Sequence, residues 1–189
     1  MLVFKGFDKN LRCSHGEGVF QYASGVTAYA DSSMTRASGL HSSEYVLECL
    51  RWYPLPKGGR VFLCEAGGDI DENEDRIVCS TELTPLRELS GPEIIAEALS
   101  FMMRYPLISW ESDPGCGVRT AEDSAEASEN ELLIVRGRNP KAKGEKGSVI
   151  GLCAERDGKI FPRMLRIGRR YRSGVWYTFT GQEIREVAP

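Results

Sequence analysis

The chain has 189 residues, with 24 Lys and Arg against 27 Asp and Glu, and a formal net charge of -3. Because 41% of its residues are hydrophobic, it has enough apolar side chains to build a folded core, which excludes a wholly disordered chain. No apolar stretch approaches the ~20 residues that a membrane helix needs, and the first residues lack a signal-peptide pattern. We therefore expect a cytoplasmic protein with no membrane partner.

The charge is distributed unevenly along the chain. Residues 1–131 contain 11 Lys and Arg and 22 Asp and Glu, a net charge of -11, whereas residues 132–189 contain 13 basic and 5 acidic residues, a net charge of +8. This asymmetry predicts an acidic body joined to a basic C-terminal domain.

The first forty residues contain short apolar runs separated by glycines, which predicts short strands and turns without a helix. The first helix is predicted to begin after Gly39, where Ser42 or Ser43 can act as the N-cap. Apolar residues at three- and four-residue spacing continue to Tyr53, and Pro54 ends the helix.

A strand of near-continuous apolar content is predicted over residues 60–66, followed by a solvated acidic turn over residues 67–75. Strands return over residues 76–79 and 81–89, and Pro85 indicates an edge or a β-bulge in the second of them.

The clearest helix begins at Ser90, which forms a capping box with Glu93, and ends near Tyr105. Residues 111–131 are rich in Ala, Ser and acidic side chains, which indicates a linker or a repeat remnant. The remaining chain has the β pattern, with strands predicted over residues 132–135, 148–154, 160–167, 175–180 and 184–187 and a Gly-bearing hairpin turn over residues 156–159.

These elements predict an α+β architecture in three parts. Residues 1–110 form an acidic body with a mixed or antiparallel sheet and two helices. Residues 111–131 form the linker, and residues 132–189 form a small, basic, all-β antiparallel domain.

No catalytic motif is present. The sequence has no phosphate-binding glycine loop, no G-x-S-x-G and no H-E-x-x-H, and its six cysteines include no C-x-x-C pair. We therefore predict no catalytic residues, no metal and no cofactor, and the sequence favours a binding protein over an enzyme.

Basic residues interleaved with a tyrosine form the strongest physical signal in the C-terminal part. They could hold phosphates, bind an acidic protein, or neutralise the acidic body within the chain or in a homo-oligomer. The predicted basic surface comprises Arg136, Arg138, Lys141, Lys143, Arg163, Arg166, Arg169, Arg170, Tyr171 and Arg172.

A second charged surface is predicted in the acidic turn. It could mimic a phosphate backbone and bind a basic groove, or it could be a solvated hairpin tip. Its residues are Asp69, Asp71, Glu72, Glu74 and Asp75.

Several segments together resemble an uncharacterised family that is common in phages and prophages and is classed as a domain of unknown function. The resemblance covers residues 1 to about 100 and rests on Gly6-Phe7, Phe20-Gln21-Tyr22, Gly39-Leu40-His41 and the stretches 60–66 and 87–90. Residues 120–128 and 144–151 resemble a shortened remnant of the repeats found in that family, and Trp176-Tyr177-Thr178 resembles its closing β segment. The resemblance implies a mobile-element origin.

A more distant resemblance concerns the order of elements around His41 and Tyr53, which is similar to the central part of ADP-ribosyltransferases. It implies an NAD pocket near these two residues. Those enzymes also need a His or Arg on the first strand, which residues 2–7 lack, and an acid for which Glu82 and Glu88 are loose candidates.

We therefore expect a phage- or prophage-encoded accessory or anti-host-defence factor. It would act without catalysis, by stoichiometric binding to a host protein or nucleoprotein complex. The alternatives are an ADP-ribosyltransferase-like enzyme that uses NAD and a nucleic-acid-binding protein that acts through its basic C-terminal domain.

Overall fold

The computed structural model describes residues 1–15, 18–34, 37–72, 76–180 and 182–188. The chain divides into two compact units, Met1–Leu89 and Ser90–Pro189. Helices and strands both occur and strands predominate, so the α+β class predicted from the sequence is confirmed.

In its described residues, the first unit has seven strands, one α-helix and one short 3-10 helix. Their bounds are β1 Leu2–Phe7, β2 Arg12–His15, β3 Gly18–Gln21, β4 Ala28–Tyr29, β5 Leu40–Ser43, α1 Val46–Trp52, the 3-10 turn Leu55–Lys57, β6 Arg60–Glu72 and β7 Ile77–Glu88.

The main sheet of this unit is antiparallel and closes on itself. Its order is β4-β7-β5-β1-β6, and β6 also pairs with β7, so β1, β5, β7 and β6 form a closed ring. The core includes Val3, Phe7, Phe62, Val78 and Leu83. Strands β2 and β3 form a separate hairpin.

The long β6–β7 hairpin closes the ring and corrects one prediction. Strand β6 continues through Gly67 to Glu72, so much of the predicted acidic turn is paired strand, with a register shift between Gly67 and Ile70. The β-bulge predicted at Pro85 is confirmed, because Cys64 pairs with Pro85 while Leu63 pairs with Arg87.

The predicted start of the first helix is wrong. Residues Leu40–Ser43 are strand β5, which pairs with β1 and β7, and α1 begins only at Val46. The Ser43 hydroxyl accepts the Tyr45 N–H and donates to the Arg76 carbonyl, so it fixes the turn before the helix and is not the N-cap. Sheet pairing of the polar segment overrode the local capping signal.

The second unit begins with a helix and continues in strands. Its elements are α2 Gly91–Arg104, β8 Val118–Ala127, β9 Leu132–Gly144, β10 Val149–Arg156, β11 Lys159–Arg166, β12 Trp176–Phe179 and β13 Ile184–Val187. The predicted capping box of α2 is confirmed, since Glu93 Oε2 accepts the Ser90 N–H at 2.8 Å.

Residues 118–127, predicted as part of a linker, form strand β8, and the predicted antiparallel domain contains parallel pairs. Strand β9 pairs in parallel with both β8 and β10, so Val118, Leu132 and Val149 occupy equivalent positions in successive strands. The unit that contains residues 132–189 begins with α2, which packs on β9, β10 and β11.

Connections of only four residues, 128–131 and 145–148, join these parallel neighbours. The first part of β9 pairs with β10, whereas residues 141–143 pair with β12, and β8 changes register between Glu122 and Ser124. The parallel neighbours are therefore joined without the long crossover that parallel pairing usually requires. A purely local reading of the sequence does not detect this geometry.

The unit boundary removes most of the charge asymmetry predicted from the sequence. Residues 1–89 contain 9 basic and 13 acidic side chains, a net charge of -4, and residues 90–189 contain 15 basic and 14 acidic side chains, a net charge of +1. The acidic stretch between residues 90 and 131 belongs to the same unit as the basic strands, which it partly neutralises.

The two α-helices in the described ranges have 7 and 14 residues, and neither meets the length and hydropathy required to cross a membrane.

Candidate functional site

A cavity of about 770 Å³ lies within the first unit. Its size falls in the range of typical small-molecule sites, which is roughly 300–1,000 Å³. Strands β1 and β5, helix α1 and the β2–β3 hairpin contribute to its wall, in which Lys5 is the most unusual residue. We call it the Lys5 cavity.

Lys5 is a charged side chain on the core face of a central strand. Side chains alternate along β1, so Lys5 shares its face with the fully buried Val3 and Phe7. Only 7% of Lys5 is exposed, and its Nζ donates a hydrogen bond of 2.5 Å to the His41 carbonyl. Among the described residues, no carboxylate lies within ion-pair distance of this ammonium group.

Burial of an ammonium group without a counter-ion is unfavourable, because the charge loses its hydration. Two aromatic rings offset part of this cost. Nζ lies 5.2 Å from the Tyr22 ring centroid and 5.8 Å from that of Phe7, within the range of cation–π contacts. The remaining donor capacity of the ammonium group can hold an anion that enters the cavity.

Strand β1 carries Lys5 on one face and supports α1 on the other. Gly6 faces the helix, where a β-carbon would lie 2.7 Å from Tyr53 Cδ2 and 2.8 Å from the Cys49 carbonyl oxygen. Glycine at this position therefore allows α1 to lie close against the strand, which brings Cys49 and Tyr53 into the cavity wall.

Three side chains of the cavity wall, the Cys49 thiol and the Tyr22 and Tyr53 phenols, stay protonated at neutral pH. Burial, with a smaller effect of the nearby Cys64, raises the pKa of the Cys49 thiol to about 12. Burial and the neighbouring Cys13 raise the pKa of the Tyr22 hydroxyl, and burial also raises the pKa of Tyr53. These groups are therefore poor nucleophiles and general bases, although they can donate hydrogen bonds.

The two residues predicted from the more distant resemblance line the same cavity. His41 lies on β5, rather than at a helix N-terminus, and Tyr53 directly follows α1. The Tyr53 hydroxyl accepts the Ser14 N–H at 3.2 Å, which links the β2–β3 hairpin to the helix. The two acids considered with them, Glu82 and Glu88, are not among the lining residues.

Sequence reasoning missed Lys5, although a signal for it exists. In Leu2–Phe7, a period of two places Lys5 in phase with Val3 and Phe7, so a lysine occupies a position where the strand pattern requires a core residue. Only its contacts with Tyr22 and His41, which come from distant parts of the chain, reveal that this lysine belongs to a cavity.

A second cavity, of about 980 Å³, lies in the second unit next to Arg136. Arg136, predicted as part of the basic surface, is only 8% exposed. Its Nε donates a hydrogen bond to Glu155 Oε1 at 2.8 Å, and its Nη2 donates one to the Pro106 carbonyl oxygen at 2.6 Å. Its guanidinium also lies 5.4 Å from the Trp110 ring centroid. Within the described residues, Arg136 Nη1 has no hydrogen-bond partner. Arg136 is mainly a structural residue that holds the segment after α2 against the sheet.

The other residues of the predicted basic surface divide into three sets. Lys143 pairs with Glu126 at 2.9 Å and Arg172 pairs with Glu186 at 2.5 Å, so both cations have acidic partners within the unit. Several others contact rings: Lys141 lies over Trp176, Arg163 over Phe179, Arg170 over Tyr171, and the Tyr171 ring packs on Tyr177. Arg138, Arg166 and Arg169 are exposed.

Three residues of the predicted acidic surface, Asp69, Asp71 and Glu72, lie at the end of β6. Asp69 and Glu72 are exposed and Asp71 is half-buried. Glu74 and Asp75 lie outside the described residues.

The cysteines are free thiols, and five of the six are buried. In the described part of the chain, no group of three or more His, Cys, Asp or Glu side chains could hold a metal ion.

The first unit thus defines a class of domain: a mostly β, α+β fold whose closed antiparallel sheet holds a ligand-sized cavity with a buried cation. The family model described as a domain of unknown function, DUF7666, matches residues 1–97, and the protein belongs to this family. The resemblance to an uncharacterised domain seen in the sequence is confirmed over this range.

Comparison with curated proteins and comparison with solved structures found no match.

Proposed function

We propose that the protein acts by stoichiometric binding and that the first unit binds an organic anion in the Lys5 cavity. One observation carries this proposal: a buried ammonium group reaches a cavity of ligand size with a backbone carbonyl and two aromatic rings as its partners among the described residues. An anion would replace the hydration that Lys5 loses on burial. Hydrogen bonds to charged groups contribute roughly 1.5–3 kcal/mol each.

Binding without catalysis agrees with the state of the cavity side chains. The pKa values of Cys49, Tyr22 and Tyr53 are all raised, so these groups do not supply a thiolate or phenolate near pH 7. Such groups favour recognition through hydrogen bonds and apolar contact over nucleophilic attack.

Calorimetric titration of the full chain with phenyl phosphate tests the role of the charge. Lys5→Met keeps a flexible side chain of similar length and removes the ammonium group, so we expect affinity to fall by at least tenfold, equivalent to about 1.4 kcal/mol. Lys57→Met, in the exposed 3-10 turn, is the matched control and should bind like the wild type.

A comparison on the wild-type protein keeps the test independent of the stability of the variant. Benzyl alcohol, a ring compound without the anion, should bind at least tenfold more weakly than phenyl phosphate. Equal binding of both compounds, or unchanged phenyl phosphate affinity in a folded Lys5→Met protein, would exclude the proposed role of Lys5.

NAD is a second candidate ligand, favoured by the placement of His41 and Tyr53 on one cavity. The Glu88 carboxylate is bound by Arg60, which holds the pKa of Glu88 below its usual value, and this acid is not in the cavity wall. The candidate is therefore NAD binding without a transfer reaction. The same titration with NAD, repeated on Lys5→Met, tests it, and absence of any heat of binding at millimolar NAD would exclude it.

We further propose that the protein originates from a phage or prophage, that its final partner is a host macromolecule and that it acts in the cytoplasm. The family resemblance in residues 1 to about 100 supports this hypothesis. The hypothesis also keeps the repeat remnant predicted at residues 120–128 and 144–151, of which the first segment lies mostly in β8, a strand that pairs in parallel with β9.

A further inference from the structure

Three exposed aromatic side chains surround the Lys5 cavity. They are Phe20 on β3, Tyr29 on β4 and Trp52 at the end of α1, with exposed fractions of 36%, 68% and 74%. Among the described residues of the first unit, these are the exposed aromatic side chains, and all three line the same cavity. We call them the aromatic rim.

One residue of the aromatic rim, Phe20, is connected to Lys5 through the Tyr22 ring. The Lys5 ammonium lies 5.2 Å from the Tyr22 ring centroid, and the Tyr22 and Phe20 centroids are 4.7 Å apart. Tyr22 is almost fully buried, whereas Phe20 reaches solvent. The cavity wall therefore combines the buried cation of Lys5 with exposed aromatic rings, and it also includes Asp31 and Glu48.

Exposed aromatic side chains that converge on one cavity indicate a binding role, since large apolar groups at the surface gain free energy only when a partner covers them. Trp52 and Tyr29 contribute little to the core because most of their surface is in water. Their position at the entrance gives a planar ligand three ring faces or edges to contact.

We propose that the ligand is a planar aromatic ring that carries an oxyanion, with the oxyanion on Lys5 Nζ and the ring against the aromatic rim. This inference rests on the proposed function and specifies the class of ligand. Aryl phosphates and nucleotides share this chemistry. An anion of the same charge without a ring would pair with the Lys5 ammonium group but would leave Phe20, Tyr29 and Trp52 exposed to solvent.

Matched pairs of probes separate the contribution of the ring from that of the charge. The full chain is titrated with phenyl phosphate and methyl phosphate, then with AMP and ribose 5-phosphate, at constant ionic strength. Aromatic contacts contribute roughly 0.5–1.5 kcal/mol beyond burial of area, so the ring-bearing member of at least one pair should bind about tenfold more tightly.

Two variants assign this difference to the rim. Trp52→Ala should reduce the preference for the ring-bearing probe at least threefold, with little effect on methyl phosphate. Leu86→Ala removes an exposed apolar side chain that does not line the cavity, so it should leave the preference unchanged. Circular dichroism and thermal melting establish that each variant is folded.

The outcomes distinguish this inference from the proposed function. If methyl phosphate and ribose 5-phosphate bind as tightly as their ring-bearing partners, the ring inference is overturned while anion binding at Lys5 stands. If no probe binds, both are overturned. If a preference is found and Trp52→Ala reduces it at least threefold, the inference is supported, whereas an unchanged preference in Trp52→Ala overturns the role of the rim. A larger effect for AMP identifies nucleotides, and a larger effect for phenyl phosphate identifies simple aryl esters.

Discussion

Substitution of Gly6 by alanine tests the packing that builds the Lys5 cavity. The added β-carbon would lie 2.7 Å from Tyr53 Cδ2 and 2.8 Å from the Cys49 carbonyl oxygen, whereas ordinary contacts begin near 3.4 Å. Helix α1 must therefore move away from β1 by roughly 0.6 Å or more, and one of the two contacts is helix backbone that cannot rotate away.

The magnitude follows from two opposing effects. Overpacking of a well-packed core costs about 1–3 kcal/mol. Replacing a glycine also restricts the unfolded chain, which returns about 0.4–1 kcal/mol. We therefore expect Gly6→Ala to destabilise the first unit by about 1–2 kcal/mol, which for a unit of 89 residues corresponds to a melting temperature lower by about 4–16 °C.

Hydrogen–deuterium exchange of the full chain in increasing urea, read on peptides from residues 1–89, measures this unit separately from the second. Gly67→Ala is the matched control, because its β-carbon would meet only Glu82, with Oε2 at 3.3 Å at the end of a flexible side chain. Gly6→Ala should also weaken phenyl phosphate binding, since Cys49 and Tyr53 line the cavity. If Gly6→Ala is as stable as Gly67→Ala, the argument that close approach of α1 requires glycine is wrong.

Two further changes test the stability of the chain. Burial raises the pKa of the thiols of Cys49, Cys64 and Cys153 from the ordinary value of 9.0 to about 12, so above about pH 9 the unfolded chain releases protons that the folded chain retains. The free energy of unfolding should therefore fall by about 1.4 kcal/mol per thiol between pH 7 and pH 10, which urea unfolding in a reducing buffer can measure. Cys153→Ala should make this decline less steep. A urea midpoint that stays constant with pH would contradict the reasoning. Ser90→Ala removes the capping box and should destabilise α2 by about 0.5–2 kcal/mol in thermal unfolding. The control Ser100→Ala, within the helix, should not. Equal melting temperatures of the two variants would refute the role of the cap.

Local patterns in the sequence correctly predicted the elements that depend on local physics. The capping box at Ser90 and Glu93, the β-bulge at Pro85 and the hairpin turn at Asp157-Gly158 are all present. Each follows from groups only a few residues apart: a side chain that caps its own helix, a proline without an N–H, and two residues with positive φ in a tight turn.

Non-local pairing decided what the sequence could not. Ser42 and Ser43 have the composition of a helix cap, yet β1 and β7 pair with their segment and make it a strand. Residues 118–127 have the composition of a linker, yet β9 pairs with them along their length. Composition records the preference of a segment in isolation, whereas backbone hydrogen bonds to a distant strand can outweigh it.

The sequence by itself determined the α+β class, the family-like first part and the absence of recognisable catalytic motifs. The tertiary structure alone decided where the units divide. Division at residue 131 gives net charges of -11 and +8, whereas the observed boundary after residue 89 gives -4 and +1. It also decided the candidate site, because Lys5, Tyr22, His41 and Trp52 meet only when the sheet closes. A lysine in a strand is ordinary in a sequence; its burial beside aromatic rings, with a cavity in front of it, is a property of the fold.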